Sequence, residues 1–157
     1  MEKMLVRGVT KDMDTARISV VGVSDVPGVA FKIFSKLAAK NINVDIILQS
    51  VGRDNTKDIS FTVGRSNAQE AVDILKAMDL TAGLPVVCDM EVAKISVVGA
   101  GMETHPGTAS KMFEALYGAD INIQMISTSE IKISVLIERA HADRAVAAVH
   151  RAFFPED

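Results

Sequence analysis

A chain of 157 residues, 48% of them hydrophobic and 24% charged, has a globular make-up long enough for one domain or two small ones, which excludes a disordered segment. Lys and Arg number 17 against 20 Asp and Glu, a formal net charge of −3, and neither sign gathers into a block that would bind a polyanion or anionic lipid. The single cysteine, Cys88, excludes an internal disulfide, fits the reducing cytoplasm and, lying in an apolar stretch, is expected as a buried thiol.

Residues 1–8 lack the apolar core of a signal peptide, and no apolar run approaches the roughly 18 residues of a membrane span, so neither export nor insertion is expected. Residues 5–9 form a short strand-like segment. Residues 17–23 are a β-branched run suited to a buried strand, closed by Ser24-Asp25-Val26-Pro27-Gly28, a polar capping candidate followed by Pro near a first helical turn. Val29, Ala30, Ile33, Phe34, Leu37 and Ala38 then share one face at helical spacing, and Asn41 and Asn43 mark the exit into a strand over 44–50. A turn over 52–57, a strand over 58–63, a helix over 67–78 and a short strand over 84–88 complete a βαββαβ module.

The module then repeats. Ala16-Arg17-Ile18-Ser19-Val20-Val21-Gly22 returns as Ala93-Lys94-Ile95-Ser96-Val97-Val98-Gly99. Pro27-Gly28 answers to Pro106-Gly107, Phe34 to Phe113, Leu37 to Leu116 and Ile42-Asn43-Val44 to Ile121-Asn122-Ile123. The second copy predicts strands over 94–98, 122–127 and 131–137 with helices over 106–117 and 141–154, and no fourth strand. A sheet lacking that strand would leave an unpaired edge, so the N-terminal segment is expected to supply it. The fold class is therefore α+β: two ferredoxin-like βαββαβ domains, each an antiparallel sheet with its helices on one face. The first domain would be continuous over 14–90 and the second discontinuous, built from 1–13 plus 91–157.

The usual signs of catalysis are missing from the pattern. His105, His141 and His150 do not stand with Cys or carboxylates at ligand spacing, and His105 reads as a residue leading into a helix. Gly99-Ala100-Gly101 begins a dinucleotide fingerprint, but Thr104 holds its third glycine position. An RNA-binding sheet needs outward aromatics on its central strands; the first copy offers Ile18, Val20, Ile59 and Phe61 there, and the second has no aromatic on its strands. What the first copy offers is a place for a small zwitterion. A helix start leaves N–H groups unpaired at the positive end of the dipole, so Gly28, Val29 and Ala30 can receive a carboxylate. Asp25, Asp45 and Gln49 are acceptors for an ammonium, the last two on one face of a regular strand. Asp25 as a plain helix cap and Asp45 as a solvated strand residue remain the competing readings. In the second copy Gln124 and Thr128 replace Asp45 and Gln49, and the turn is Met102-Glu103-Thr104-His105-Pro106-Gly107. Ser127-Thr128-Ser129-Glu130 either contributes hydroxyls or is only a turn. Unlike turns in related domains suggest one surface built from unequal halves.

Ser24-Asp25-Val26-Pro27-Gly28, Asn43-Val44-Asp45-Ile46-Ile47-Leu48-Gln49, Val98-Gly99-Ala100-Gly101-Met102, His105-Pro106-Gly107 and the run from Asn122 through Ser127-Thr128-Ser129-Glu130-Ile131 to Val135 together resemble the paired ACT domains of aspartate kinase. The resemblance spans practically the whole chain, and Ile-Ser-Thr-Ser-Glu-Ile is its most specific part. It implies a regulatory β subunit or regulatory region without the amino-acid kinase domain, not an enzyme by itself and without a cofactor. The enzyme it implies phosphorylates the aspartate β-carboxylate with ATP, toward lysine, threonine and methionine, under feedback inhibition by threonine and, in many members, lysine. The implied partners are a second copy, joined through the ACT domains, and a catalytic α subunit, with no nucleic acid and no membrane.

In such a homodimer the first domain of one chain faces the second domain of the other, with the effector between them. Threonine would be held by Gly28, Ala30 and Gln49 with Asn122 and Ile123 of the partner subunit. A lysine site would draw on Asp25 and Asp45 with Thr104 and Ser129. The short turn over 52–57 departs from the family pattern and leaves the ligand set open. Two alternatives stand beside this reading. One is another tandem-ACT regulator such as the valine-sensing small subunit of acetolactate synthase, which lacks the Ser-Thr-Ser-Glu segment. The other is a phosphate-processing enzyme on a ferredoxin-like fold, for which only Arg53-Asp54-Asn55 speaks.

Overall fold

The structure is a computed structural model and describes residues 6–100 and 106–155. Its elements in chain order are β1 (Val6–Asp12), β2 (Ala16–Ser24), α1 (Val29–Ala39), β3 (Val44–Val51), β4 (Thr56–Val63), α2 (Ala68–Ala77), β5 (Val86–Asp89), β6 (Val92–Gly99), α3 (Gly107–Gly118), β7 (Met125–Thr128), β8 (Lys132–Glu138) and α4 (Ala142–Phe153). Single 3-10 turns at Arg65–Asn67 and Arg139–His141 lead into α2 and α4. The chain divides into two compact units, Asp14–Met90 and the residues on both sides of it.

The first unit is a four-stranded sheet in the order β3-β4-β2-β5. Its register sets Ala16 opposite Val63, Ile18 opposite Phe61 and Val20 opposite Ile59, so the apolar members of two alternating strands fall on one face. Helix α1 closes that face with Val29, Ile33 and Leu37, and α2 with Ala68, Ala71, Val72 and Leu75. Phe34 meets Phe61 edge-on, ring centroids 5.4 Å apart.

The second unit repeats the plan in the order β1-β6-β8-β7. Ile95 and Val97 of β6 lie opposite Val135 and Ile133 of β8, under Met112 and Leu116 of α3 and Ala145, Val149 and Phe153 of α4. Strand β1 runs antiparallel to β6, with Val9 opposite Val97 and Lys11 opposite Ile95, and Val6 is buried in this core. The N-terminal strand thus completes the second sheet in the position that β5 holds in the first. Leu5, part of the expected segment, lies outside the described residues. The repeat extends to polar detail: Ser19 and Ser60 on the central strands of one sheet share a 2.7 Å hydrogen bond, and so do Ser96 and Ser134 in the other. Both first helices end alike, on Asn41 and Asp120 with φ of 59°, followed by Ile42 N–H donating to Leu37 O and Ile121 N–H to Leu116 O. That left-handed exit satisfies the last carbonyls, and Asn and Asp tolerate it.

Several element limits differ from the sequence reading. Strand β4 begins at Thr56, inside the expected turn, and β7 at Met125, leaving Asn122 and Ile123 in the segment ahead of it. Helix α1 begins at Val29 behind Gly28, whose φ of 94° is the left-handed conformation glycine adopts without strain, and no side chain caps it. Asp25 is therefore not the helix cap. Cys88 is exposed rather than buried, because β5 is a four-residue edge strand. Among the described residues no helix is long and apolar enough to cross a membrane.

Candidate functional site

The site grows from two irregularities in the first sheet. On β2 the register slips between Val20 and Val23, where Gly22 has a φ of 82° and its N–H donates to Asp58 Oδ1 at 2.9 Å. On β3 it slips between Val44 and Ile47, where Ile46 N–H donates to the Thr62 hydroxyl at 3.0 Å instead of to the ladder. Each bulge inserts one residue and reverses the phase of all that follow. Asp45 and Gln49, expected on one face by simple alternation, are for this reason on opposite sides of a phase change. Gln49 lies opposite Ile59, whereas Asp45 sits in the bulge, exposed.

Beyond the second bulge the strands close in a tight hairpin. Gly52 N–H donates to Thr56 O at 2.9 Å, and Asp54 and Asn55 both take positive φ, 55° and 61°. That is the primed turn whose twist matches a hairpin. A Cβ at Gly52 would stand 2.4 Å from Thr56 O, so only glycine fits there. The hairpin tip reaches the turn between β2 and α1: Asn55 O accepts from Asp25 N–H at 2.7 Å. Lys57 Nζ stands 3.4 Å from Asp25 Oδ1. Asp25 is thereby held at both backbone and side chain by the opposite hairpin.

Asp25, Gln49, Ser50, Val51 and Lys57 line an open pocket of about 210 Å³. Three residues past Asp25 lies Gly28, where a Cβ would find nothing within 4 Å, and then the uncapped start of α1, which has no acid in its first turn to compete for an anion. Ala30 is the second residue of that helix and half-buried. Of the expected ligands, the structure brings together Asp25 and Gln49 in the pocket lining, and leaves Gly28, Ala30 and Asp45 outside it. Lys57 was not found from the sequence. It lies far from Asp25 in the chain, and only the pairing of β4 with β2 and β3, which sets Lys57 opposite both Val23 and Val51, could reveal it.

In the second unit Asn122 is exposed and Ile123 packs against the core. Ser129 serves its own turn: its Oγ accepts from Ile131 N–H and Lys132 N–H at 3.3 and 3.2 Å, and its N–H donates to Lys132 O at 2.8 Å. Thr104 and His105 lie outside the described residues. An open groove of about 590 Å³ between β1 and α4, floored by Val9, Val146 and Phe154, had no counterpart in the sequence reading. His141 contacts Glu138 and Arg144, while His150 stacks on Phe154, so the two histidines have separate surroundings. Partial desolvation at the sheet edge, and then the neighbouring Asp89 carboxylate, push the Cys88 thiol up. That is the opposite of what a nucleophilic cysteine needs.

Two four-stranded antiparallel sheets, each with its two helices, define a tandem ferredoxin-like class of fold, and the comparisons agree. The model of the ACT domain matches residues 18–78 and 95–153. An aspartokinase of Pseudomonas aeruginosa is 48% identical over 98% of this chain, which spans 37% of that protein's length. The regulatory subunit of aspartate kinase from Thermus thermophilus, in its ligand-free form, is 40% identical with a TM-score of 0.88, covering 94% of this chain and 98% of that one. A structure of aspartokinase alpha and beta subunits matches at 44% identity and a TM-score of 0.87, covering 94% and 98%. The chain belongs to the ACT-domain family. Within it, its place is with the regulatory ACT-domain regions of aspartate kinases, not with the valine-sensing regulators or phosphate-processing enzymes considered from the sequence.

Proposed function

We propose that the chain binds a free amino acid and passes that signal to an aspartate kinase catalytic portion, which transfers phosphate from ATP to the aspartate β-carboxylate in the cytoplasm. The observation that carries this is the pocket that gathers Asp25 and Gln49, with Gly28 at the uncapped start of α1, three residues after Asp25 in the chain. The α-carboxylate of the effector takes the free N–H groups at Gly28 to Ala30, and the α-ammonium takes Asp25 and the Gln49 carbonyl. Threonine is the effector this set suits. Asn122 and Ile123 of the partner subunit complete it in a dimer formed through the ACT domains. A lysine site on Asp25 and Asp45 with Thr104 and Ser129 has weaker support, because Asp45 stands outside the pocket and Ser129 is engaged in its own turn. An effector that contacts both chains stabilises one dimer arrangement. A difference in affinity of about 1–3 kcal/mol between arrangements shifts activity roughly 5–150-fold.

Calorimetry with Gln49→Ala tests the site. Loss of a polar partner costs about 1–3 kcal/mol, so threonine binding is expected to weaken by about 5–150-fold while the circular dichroism spectrum and thermal midpoint stay as in the parent. Unchanged affinity would discard Gln49 as a contact. In a thermal-shift panel, threonine or lysine is expected to raise the midpoint; a response to valine alone, or to no amino acid, contradicts the proposal.

A further inference from the structure

We infer that Lys57 is a specificity-determining residue that fits the pocket to amino acids with an uncharged side chain and sets it against those carrying a second cation. The inference rests on the reading of this pocket as an amino-acid site. Among the described residues that line it there is one carboxylate, Asp25, and one ammonium, Lys57, beside the neutral Gln49, Ser50 and Val51. The two charges stand 3.4 Å apart, so the pocket is already balanced before any ligand arrives. A zwitterion with a neutral side chain preserves that balance: its ammonium shares Asp25, and its carboxylate turns toward the helix start and the lysine. Lysine itself would bring a further ammonium into a space whose only lining acid is engaged, next to a like charge.

Two features keep Lys57 from simply turning away. Its backbone is paired on both sides, opposite Val23 and Val51, and its side chain is 16% exposed against 50% for Asp25. A charge so sheltered is screened less by salt than one on an open surface. Asp25 in turn is held near it by the hydrogen bond of its N–H to Asn55 O.

The test is calorimetry with threonine, lysine and norleucine, the last resembling lysine without its ε-ammonium. The parent chain is expected to bind threonine and norleucine each about tenfold or more tightly than lysine. In K57Q the preference for threonine over lysine is expected to fall about tenfold, mainly through tighter lysine binding, and K57R is expected to keep the parent preference. Equal binding of norleucine and lysine to the parent would overturn the inference without any variant having to fold. So would a threonine-to-lysine ratio unchanged in a folded K57Q. If threonine still binds in either case, the pocket reading survives and only the role of Lys57 is lost; if no amino acid binds parent or variant, both fall together.

Discussion

The two units share a plan and differ at their edges. In the first, the turn after β2 and the β3–β4 hairpin meet through Asp25, Asn55 and Lys57 and flank a small open pocket. In the second, the corresponding β7–β8 turn is closed by its own Ser129, and Ile131 stands in the sequence where Lys57 stands in the first copy. The cores are nearly interchangeable in character, with β-branched residues on central strands under Leu, Ile, Met and Ala from two helices. The difference teaches that duplication preserves what packs the sheet and releases what lies at strand ends, which is where a binding site can be grafted.

The sharpest way to break the comparison is to remove residues 1–13. The first sheet draws its fourth strand from the end of its own continuous segment and the second from the N-terminal strand, so the truncated chain is expected to lose the slow amide exchange of β6 and β8 while β2 and β4 keep theirs. Retained protection in β6 would show that the second sheet does not need β1. A smaller effect separates the two turns. Gly52→Ala drives a Cβ into Thr56 O and is expected to cost about 1–3 kcal/mol in urea unfolding, whereas Ser129→Ala removes only turn hydrogen bonds and is expected to cost about 0.5–1.5 kcal/mol. Equal losses would mean the hairpins are built alike after all. The smallest effect concerns Cys88. Its exposed but raised thiol is less ionised at pH 8 than an unfolded one, so alkylation is expected to be slower in the native protein than in urea. A faster native reaction contradicts that environment.

Much of this was legible in the sequence because periodicity and repetition are local signals. The alternation through Ile18, Val20, Ile59 and Phe61, the helical stripe of Val29, Ile33 and Leu37, and the echo of 16–22 in 93–99 were enough for the fold. The missing fourth strand of the second copy pointed to β1, since an open edge needs a partner. The bulges were not legible. Nothing in Val44-Asp45-Ile46-Ile47 announces that one residue is extra, so the shared face assigned to Asp45 and Gln49 followed from a regular strand that does not exist here. Nor was the pairing of Asp25 with Lys57, which depends on register between distant strands. Cys88 failed for a related reason: an apolar stretch signals burial, but not whether its strand ends up at an edge. Local pattern yields elements, while the site depends on how strand ends are brought together.

Amide hydrogen exchange with and without threonine tests the central claim most directly. Slower exchange is expected across residues 25–32 and 49–57 on addition of the amino acid, with the β2 core positions 16–20 unchanged because they are already protected by the ladder. If threonine leaves both segments as they were, or slows exchange only along α4 and β1, the effector does not sit at the helix start and hairpin of the first unit.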